Sequence, residues 1–242
     1  HASLLASSVA CAEMYLHRLA GTFSKVNAFV CPSQFMMEVM KRAGIDARKL
    51  FHIPHFIDLT QYDPSYGGSG SFIFVGRLSE EKGVSVLLQA RRSVKDFKLL
   101  VAGEGELREK LEATVSNDSG VLFLGFLPRE RLARVWRDAA FTVVPSVCYE
   151  NFPYAILESF AFGKPVIATR IGGMPELVRD GESGFLVEPG NVAELTEKIS
   201  YMISRPEEVS RMGRLARLSA QDKYSTEAHY ESIMNLYERM AR

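Results

Sequence analysis

The stretch Val143–Pro175, VVPSVCYENFPYAILESFAFGKPVIATRIGGMP, decides how this chain is read. Val143 and Val144 close an apolar strand, and a loop carrying Glu150 follows. Pro153 suits the first turn of a helix, where its missing N–H leaves no bond unmade. The spacing predicts a helix to about Phe162, with Gly163 as its left-handed stop. Pro165 to Ala168 reads as a buried strand, Gly172–Gly173 as a turn, and Pro175 as the opening of another helix. A strand–loop–helix–strand unit of this kind puts a helix N-terminus at the carboxyl end of a parallel sheet. That is where open α/β folds bind anions and nucleotides.

Two carboxylates frame the predicted helix start. Glu150 lies in the loop and Glu158 about two turns into the helix, with seven residues between them. Both are placed to reach a ligand seated over the helix N-terminus. Free N–H groups there hold a phosphate, and carboxylates accept hydrogen bonds from hydroxyls. A polyhydroxylated ligand bearing a phosphate fits this set better than a bare anion. Taken alone, E-x7-E reads more simply as a loop acid and a surface helix acid. The rest of the chain shifts that balance.

Working outward, the 242 residues can bury one large core or two modest ones. Apolar content of 47% and charged content of 24% are those of a globular protein. A formal net charge of zero argues against nucleic-acid binding driven by phosphate attraction. Arg91–Arg92 and the group Arg129, Arg131, Arg134, Arg137 read as solvated helix faces, with a membrane-surface contact as the second reading. Cys11, Cys31 and Cys148 show no paired spacing, which points to a reducing compartment and a cytoplasmic setting. No apolar run approaches a membrane-spanning length. Ser3 to Ala12 resembles a signal-peptide core superficially but lacks a basic leader. Leu4, Leu5, Val9, Leu16 and Leu19 instead continue one helical face, so the start reads as an amphipathic helix in a chain that begins partway into a larger protein.

After that helix, which Gly21 ends, Asn27 to Cys31 and Leu50 to Ile53 read as short strands. Between them lies a helix capped by Pro32–Ser33 and stopped by Gly44. Residues 1–54 thus form a strand–helix–strand remnant too small for its own core. Residues 55–70, polar and holding Pro64 and several glycines, read as a linker. From Ser71 the pattern restarts. Strands are expected at Ser71–Val75, Phe97–Ala102, Val121–Leu124, Phe141–Val144, Pro165–Ala168 and Phe185–Val187, separated by helices. Later helices cover about Val192–Ile203, Pro206–Gln221 and a terminal amphipathic segment with Tyr230, Ile233, Leu236, Tyr237 and Met240. Apolar strands alternating with helices predict an α/β fold, a Rossmann-like doubly wound parallel sheet covered on both faces.

Other residues fall at predicted strand ends. Arg77 and Lys82 occupy the loop after the strand Ser71–Val75 and suit a diphosphate, the guanidinium forking onto oxygens and the ammonium adding a point charge. A lone R-x4-K would otherwise be two exposed loop cations. Gly103-Glu104-Gly105 is a weak phosphate or base loop, lacking the third Gly of a dinucleotide fingerprint. Phe126–Leu127 makes an apolar ledge that fits a nucleobase and fits a core equally. No D-x-D is present, so a metal-bridged diphosphate has no support in the sequence. His52, His55 and Cys31 lack metal-ligand spacing, Cys148 has no base beside it, and Trp136 reads as packing.

Taken in order, GRLSEEKG, AGEGELR, FLGFLP, VVPS…ENFPYAILESFAFGKPVIAT and GGMPELV resemble the retaining GT-B-fold glycosyltransferases of family four, the group 1 glycosyl transferases. The resemblance runs from about Val26 to the C-terminus. It implies that residues 71–224 are the nucleotide-sugar-binding C-terminal half of a GT-B fold. Residues 1–54 would be a remnant of the acceptor-side domain, and residues 225–242 a helix returning to that side. It implies Arg77 and Lys82 on the donor diphosphate, and Glu150 at the donor sugar near the reacting centre. Backbone groups from Asn151 and Phe152 through Pro153, Tyr154, Ala155 and Ile156 would meet sugar and phosphate. Glu158 would bind the ribose, and Gly103, Glu104, Gly105, Phe126 and Leu127 would border the base. Phe152–Pro153 departs from the family's frequent Phe-Gly and removes one N–H donor. His55–Phe56 stands where Asn-Gly is common.

The activity implied is metal-independent transfer of a hexosyl group, with retention, from a UDP- or GDP-linked sugar to a glycan or lipid-linked acceptor, as in polysaccharide biosynthesis. No cofactor besides the nucleotide sugar and no nucleic-acid partner is expected. Peripheral contact with the inner face of the membrane, through a domain upstream of His1, and self-association through the exposed remnant are further expectations. Two other classes stay open: a non-catalytic nucleotide-sugar-binding module, and a nicotinamide-dependent oxidoreductase, against which the missing three-Gly fingerprint speaks.

Overall fold

The computed structural model describes residues 4–68, 70–94 and 97–241. Six parallel strands form the main sheet: β3 (Ser71–Val75), β4 (Lys98–Ala102), β5 (Val121–Gly125), β6 (Thr142–Val144), β7 (Val166–Thr169) and β8 (Gly184–Val187). Their spatial order is β5-β4-β3-β6-β7-β8. The chain therefore winds outward from β3 in one direction, returns to the centre at β6, and winds outward in the other. β3 pairs with β4 over its whole length, Ser71 opposite Lys98 to Val75 opposite Ala102. It meets β6 at Ile73 opposite Thr142.

The strands are apolar throughout because both faces are covered. Side chains alternate between two cores, as a period of two requires. Phe72, Phe74, Val143 and Ile167 enter one, under α3 (Val84–Arg91), α4 (Arg108–Thr114) and α8 (Val192–Ser204). Val144, Val166 and Ala168 enter the other, under α6 (Tyr154–Ala161), α7 (Met174–Leu177) and α9 (Pro206–Tyr224). Ile73 joins Trp136 of α5 (Arg129–Asp138) and Phe162 on that second face. Buried polar groups meet at Thr142. Trp136 Nε1 donates to Thr142 Oγ1 at 3.1 Å, and Ser159 Oγ donates to the same oxygen at 2.7 Å. α3 ends at Arg91, whose buried guanidinium turns back and donates to the Val94 carbonyl.

Ahead of the main sheet, α1 (Leu4–Leu19), β1 (Phe29–Cys31), α2 (Gln34–Arg42) and β2 (Leu50–His52) form a separate parallel pair with two helices. Ser33 caps α2 by accepting from the Met36 N–H at 3.1 Å. On α1, Val9 and Leu16 are each 66% exposed and Leu19 82%. The side chains of Leu4 and Leu5, expected on that face, lie outside the described residues. The stretch from His55 to Gly70 (Ser69 lies outside the described residues) runs pinned against the main body. Ile57 is buried and its N–H donates to Tyr224 O at 2.8 Å. Arg217 donates to Leu59 O, and Lys164, fully buried, donates to Gly67 O and to Arg137 O. The last helix, α10 (Thr226–Ala241), turns back toward the first strands. His229 Nδ1 lies 2.7 Å from Pro54 O, and the Arg239 guanidinium sits over the Phe51 ring. Its Tyr230 and Tyr237 are exposed.

Candidate functional site

The reversal of winding between β3 and β6 opens a crevice at their carboxyl ends, the position where doubly wound sheets bind ligands. Two loops form its walls, the one after β3 with Arg77 and Lys82 and the one after β6 with Glu150. They are stitched together below the crevice. The Val147 N–H donates to Glu81 O at 2.9 Å. Gly83, at φ 68°, lies so close that an added Cβ would stand 1.9 Å from Pro145 O. No other residue type satisfies both that conformation and that approach.

A cavity of about 400 Å³ fills the crevice, lined by Gly76, Arg77, Lys82, Ser146, Glu150, Phe152 to Ala155, and Glu158. Lys82 Nζ donates to Glu150 Oε1 at 2.5 Å, with the Glu150 side chain only 14% exposed. Ser146 Oγ donates to the same oxygen at 2.8 Å. Arg77 is less enclosed and stands 3.6 Å from Glu81. Pro153 occupies the N-cap position of α6, so the helix starts at Tyr154, one residue later than expected. Among the described residues, the N–H groups of Tyr154 and Ala155 have no backbone acceptor. That of Ile156 donates to Pro153 O at 3.1 Å, and Pro153 has none to give. The free donors at this helix end are therefore narrower than the whole run from Asn151 to Ile156.

Glu158 faces the same cavity from α6 and also borders a small one with Tyr62, Arg129, Leu132 and Trp136. Burial pushes its carboxyl above the ordinary value, while the Arg129 guanidinium pulls it down. A second cavity of about 390 Å³ shares Val75, Gly76 and Arg77 with the first and continues past Gly103, Glu104, Phe126, Leu127 and Leu132. Gly103 and Glu104 line it, while Gly105 packs instead against Leu78, whose O would stand 2.3 Å from an added Cβ. The Gly103 N–H donates to Gly125 O, and Glu104 O accepts from Leu78 N. The Glu104 carboxylate is held by Arg108 and by the Phe126 N–H, and the Arg108 bond keeps its carboxyl below the ordinary range. Phe126 is 78% exposed beside it. Most residues expected from the sequence line these two adjoining cavities, with cations and Glu150 in the middle, Glu158 to one side and an aromatic ledge at the far end; Asn151, Ile156 and Gly105 line neither.

Among the described residues, no group of three or more His, Cys, Asp or Glu is disposed to hold a metal ion, and no helix is long and apolar enough to cross a membrane. A separate cleft of about 580 Å³ by α1 and α2, lined by Met14, Tyr15, Phe23, Met40 and Ile45 among others, contains no charged side chain.

A family model described as glycosyl transferases group 1 matches residues 69–205, the six-stranded sheet and its loops. The chain belongs to that family. It is 35% identical over 171 residues to an uncharacterized glycosyltransferase of Methanocaldococcus jannaschii, covering 70% of this chain and 48% of that protein. It is 30% identical over 208 residues to a D-inositol 3-phosphate glycosyltransferase of Pseudarthrobacter chlorophenolicus, covering 76% and 49%. The chain spans about half the length of the curated relatives it matches. Its fold superposes on Anabaena HepE in complex with UDP and glucose, with a TM-score of 0.80 at 22% identity over 88% of this chain and 63% of that one. It also superposes on sucrose-phosphate synthase of Thermosynechococcus elongatus, with a TM-score of 0.81 at 25% identity over 92% and 61%. The sheet and its order are those of the GT-B-type glycosyltransferases.

Ser146, Arg129 and Tyr62 carry no site signal in the sequence. Ser146 sits between two conspicuous residues, Pro145 and Glu150, but a loop serine carries no signal of its own. Arg129 reads in sequence as one more basic residue on a helix face, and Tyr62 lies in a stretch that reads as a linker. Their proximity to Glu158 is a product of the fold.

Proposed function

We propose that this chain is the donor-binding part of a metal-independent, retaining glycosyltransferase. It takes a hexosyl group from a UDP- or GDP-linked sugar to a glycan or lipid-linked acceptor. The observation that carries this reading is the ion pair of Lys82 and Glu150 beside the free N–H groups of Tyr154 and Ala155, all within one cavity at the switch point of the sheet. Breaking the anomeric C–O bond builds negative charge on the diphosphate and positive charge on the sugar. Lys82, Arg77 and the N-terminus of α6 stabilise the first, and the Glu150 carboxylate stands beside the second. Glu158 accepts from the ribose hydroxyls, and the base lies along Gly103–Gly105 and Phe126–Leu127. The metal-free reading rests on a cavity whose cations come from side chains, and retention rests on the likeness of the E-x7-E block to that family. Residues 1–54 are the edge of an acceptor-side domain, 55–70 the crossing between domains, and 225–242 the helix that returns to it.

Incubating the chain, and a version extended upstream, with radiolabelled nucleotide sugars, acceptor lipids or glycans, and a chelator tests the reading. The extended protein should transfer label with the anomeric configuration kept, and Glu150→Gln should lower turnover strongly. Donor binding with no transfer by any version would leave a nucleotide-sugar-binding module. Transfer abolished by chelation would overturn the metal-free claim.

A further inference from the structure

The loop that carries Glu150 is held by residues outside the nucleotide-binding sheet. Ser33, fully buried at the cap of α2, donates its hydroxyl to Asn151 Oδ1 at 2.5 Å. Two residues on, the Phe35 ring stacks on Tyr149, centroids 5.2 Å apart and planes 24° from parallel. Glu150 thus lies between two neighbours that both touch the same helix end. That helix end is itself anchored. Glu176 of α7 accepts from the Gln34 N–H at 2.7 Å through one carboxylate oxygen and from the Phe35 N–H at 2.8 Å through the other. A carboxylate forked onto the first N–H groups of a helix satisfies two orphan donors and meets the positive end of its dipole.

On its other side the loop rests against the turn before α7. The Gly173 N–H donates to Glu150 O at 2.8 Å. A Cβ on Gly172 would stand 2.3 Å from Glu150 O, and one on Gly173 2.1 Å from Asn151 O. The loop is therefore clasped between the Gly172–Gly173 turn and the amino end of α2. Within that clasp, Ser146 and Lys82 set the direction of the Glu150 carboxylate. α2 belongs to the β1–β2 unit, so a shift of that unit against the main sheet pulls on Tyr149 and Asn151 together.

We propose that the amino end of α2 is a positioning device for Glu150, acting through Ser33 on Asn151 and Phe35 on Tyr149, with Glu176 as its anchor. The proposal rests on reading Glu150 as the carboxylate that faces the donor sugar. Ser33, Phe35 and Glu176 are positioning residues, since none of them lines the donor cavity. Their effect is to fix where the loop holds Glu150, and small misplacements of a reacting group lower rates steeply.

The test uses Phe35→Ala, Ser33→Ala and the conservative Phe35→Tyr, which keeps the ring stack. Hydrogen exchange of the unliganded chain is read over residues 147–153, with β6 and β7 as internal controls. Calorimetry then gives the affinity gained by adding the sugar, comparing UDP with UDP-glucose and GDP with GDP-mannose. Phe35→Ala and Ser33→Ala should speed exchange of the loop by about tenfold and leave the control strands unchanged. They should leave diphosphate affinity within about twofold and reduce the sugar increment about fivefold, with Phe35→Tyr restoring both. Unchanged loop exchange in both alanine variants overturns the proposal. So does an equal loss for diphosphate and nucleotide sugar. If the parent chain binds none of the four probes, the donor-site reading fails, and loop exchange alone still decides whether α2 positions the loop.

Discussion

Gly83 joins the two walls of the crevice, and replacing it with alanine tests whether that junction sets the site. At φ 68° an alanine there meets the left-handed penalty of about 1–2 kcal/mol. Its Cβ would also stand 1.9 Å from Pro145 O, a backbone atom that is unable to swing aside. Forcing such a contact into a packed junction costs about 1–3 kcal/mol more. The sum is about 2–5 kcal/mol, a large part of the roughly 5–15 kcal/mol that holds a domain together. Gly181 supplies the control. Its φ is 77°, yet nothing lies within 4 Å of an added Cβ. Gly181→Ala should therefore show the conformational penalty alone. Urea unfolding of both variants measures the difference. Gly83→Ala should lose about 1–3 kcal/mol more than Gly181→Ala. It should also weaken nucleoside diphosphate binding, because parting Gly83 from Pro145 carries Lys82 away from Glu150. Equal losses in the two variants, with unchanged binding, would refute the argument that the close approach holds the crevice.

Three further outcomes follow from buried polar groups. Burial lowers Lys164 from 10.5 to about 8. Between those values the unfolded chain holds a proton that the native chain has released, so stability rises with pH across that window and the contribution is absent below it. The stability difference between the parent and Lys164→Met should shift in the parent's favour by about 2–3 kcal/mol from pH 7.5 to 10, measured by denaturant unfolding. A flat difference would mean that Lys164 titrates alike in both states. Thr142→Val keeps the volume but removes the acceptor of Trp136 Nε1 and should cost about 1–3 kcal/mol in urea; a neutral result would show the indole finding another partner. Glu158→Gln should weaken UDP or GDP while sparing their 2′,3′-dideoxy analogues in calorimetry, and equal losses for both would remove Glu158 from the ribose.

The sheet was legible because its strands are short and apolar and the helices between them are punctuated. Gly163 and Gly172 stop or turn the chain where the pattern says, and all six strands of the main sheet appear within a residue or two of their expected bounds. What lies at strand ends was legible for the same reason, since β3, β4, β5 and β6 deliver Arg77, Gly103, Phe126 and Glu150 to one edge. Side-chain pairing was not. Lys82 and Glu150 stand 68 residues apart in the chain, and only the adjacency of β3 and β6 brings them to 2.5 Å. The stretch from His55 to Gly70 shows the opposite limit. Its polar, glycine-rich composition says nothing of Lys164 and Arg217, whose buried cations are satisfied by its carbonyls. The clasp of α2 on the Glu150 loop is likewise invisible in sequence, because Ser33 and Asn151 are small polar residues 118 positions apart.

The central claim is that the crevice between β3 and β6 binds the diphosphate of a nucleotide sugar through Lys82 and Arg77. Calorimetric titration of UDP and GDP into the parent chain, Lys82→Ala and Arg77→Ala, each with a chelator present, tests it most directly. The parent should bind at least one of the two saturably, and each alanine variant should lose about 1.5–3 kcal/mol of that affinity with its fold intact. Binding of neither nucleotide by the parent, or undiminished binding by both variants, would contradict it.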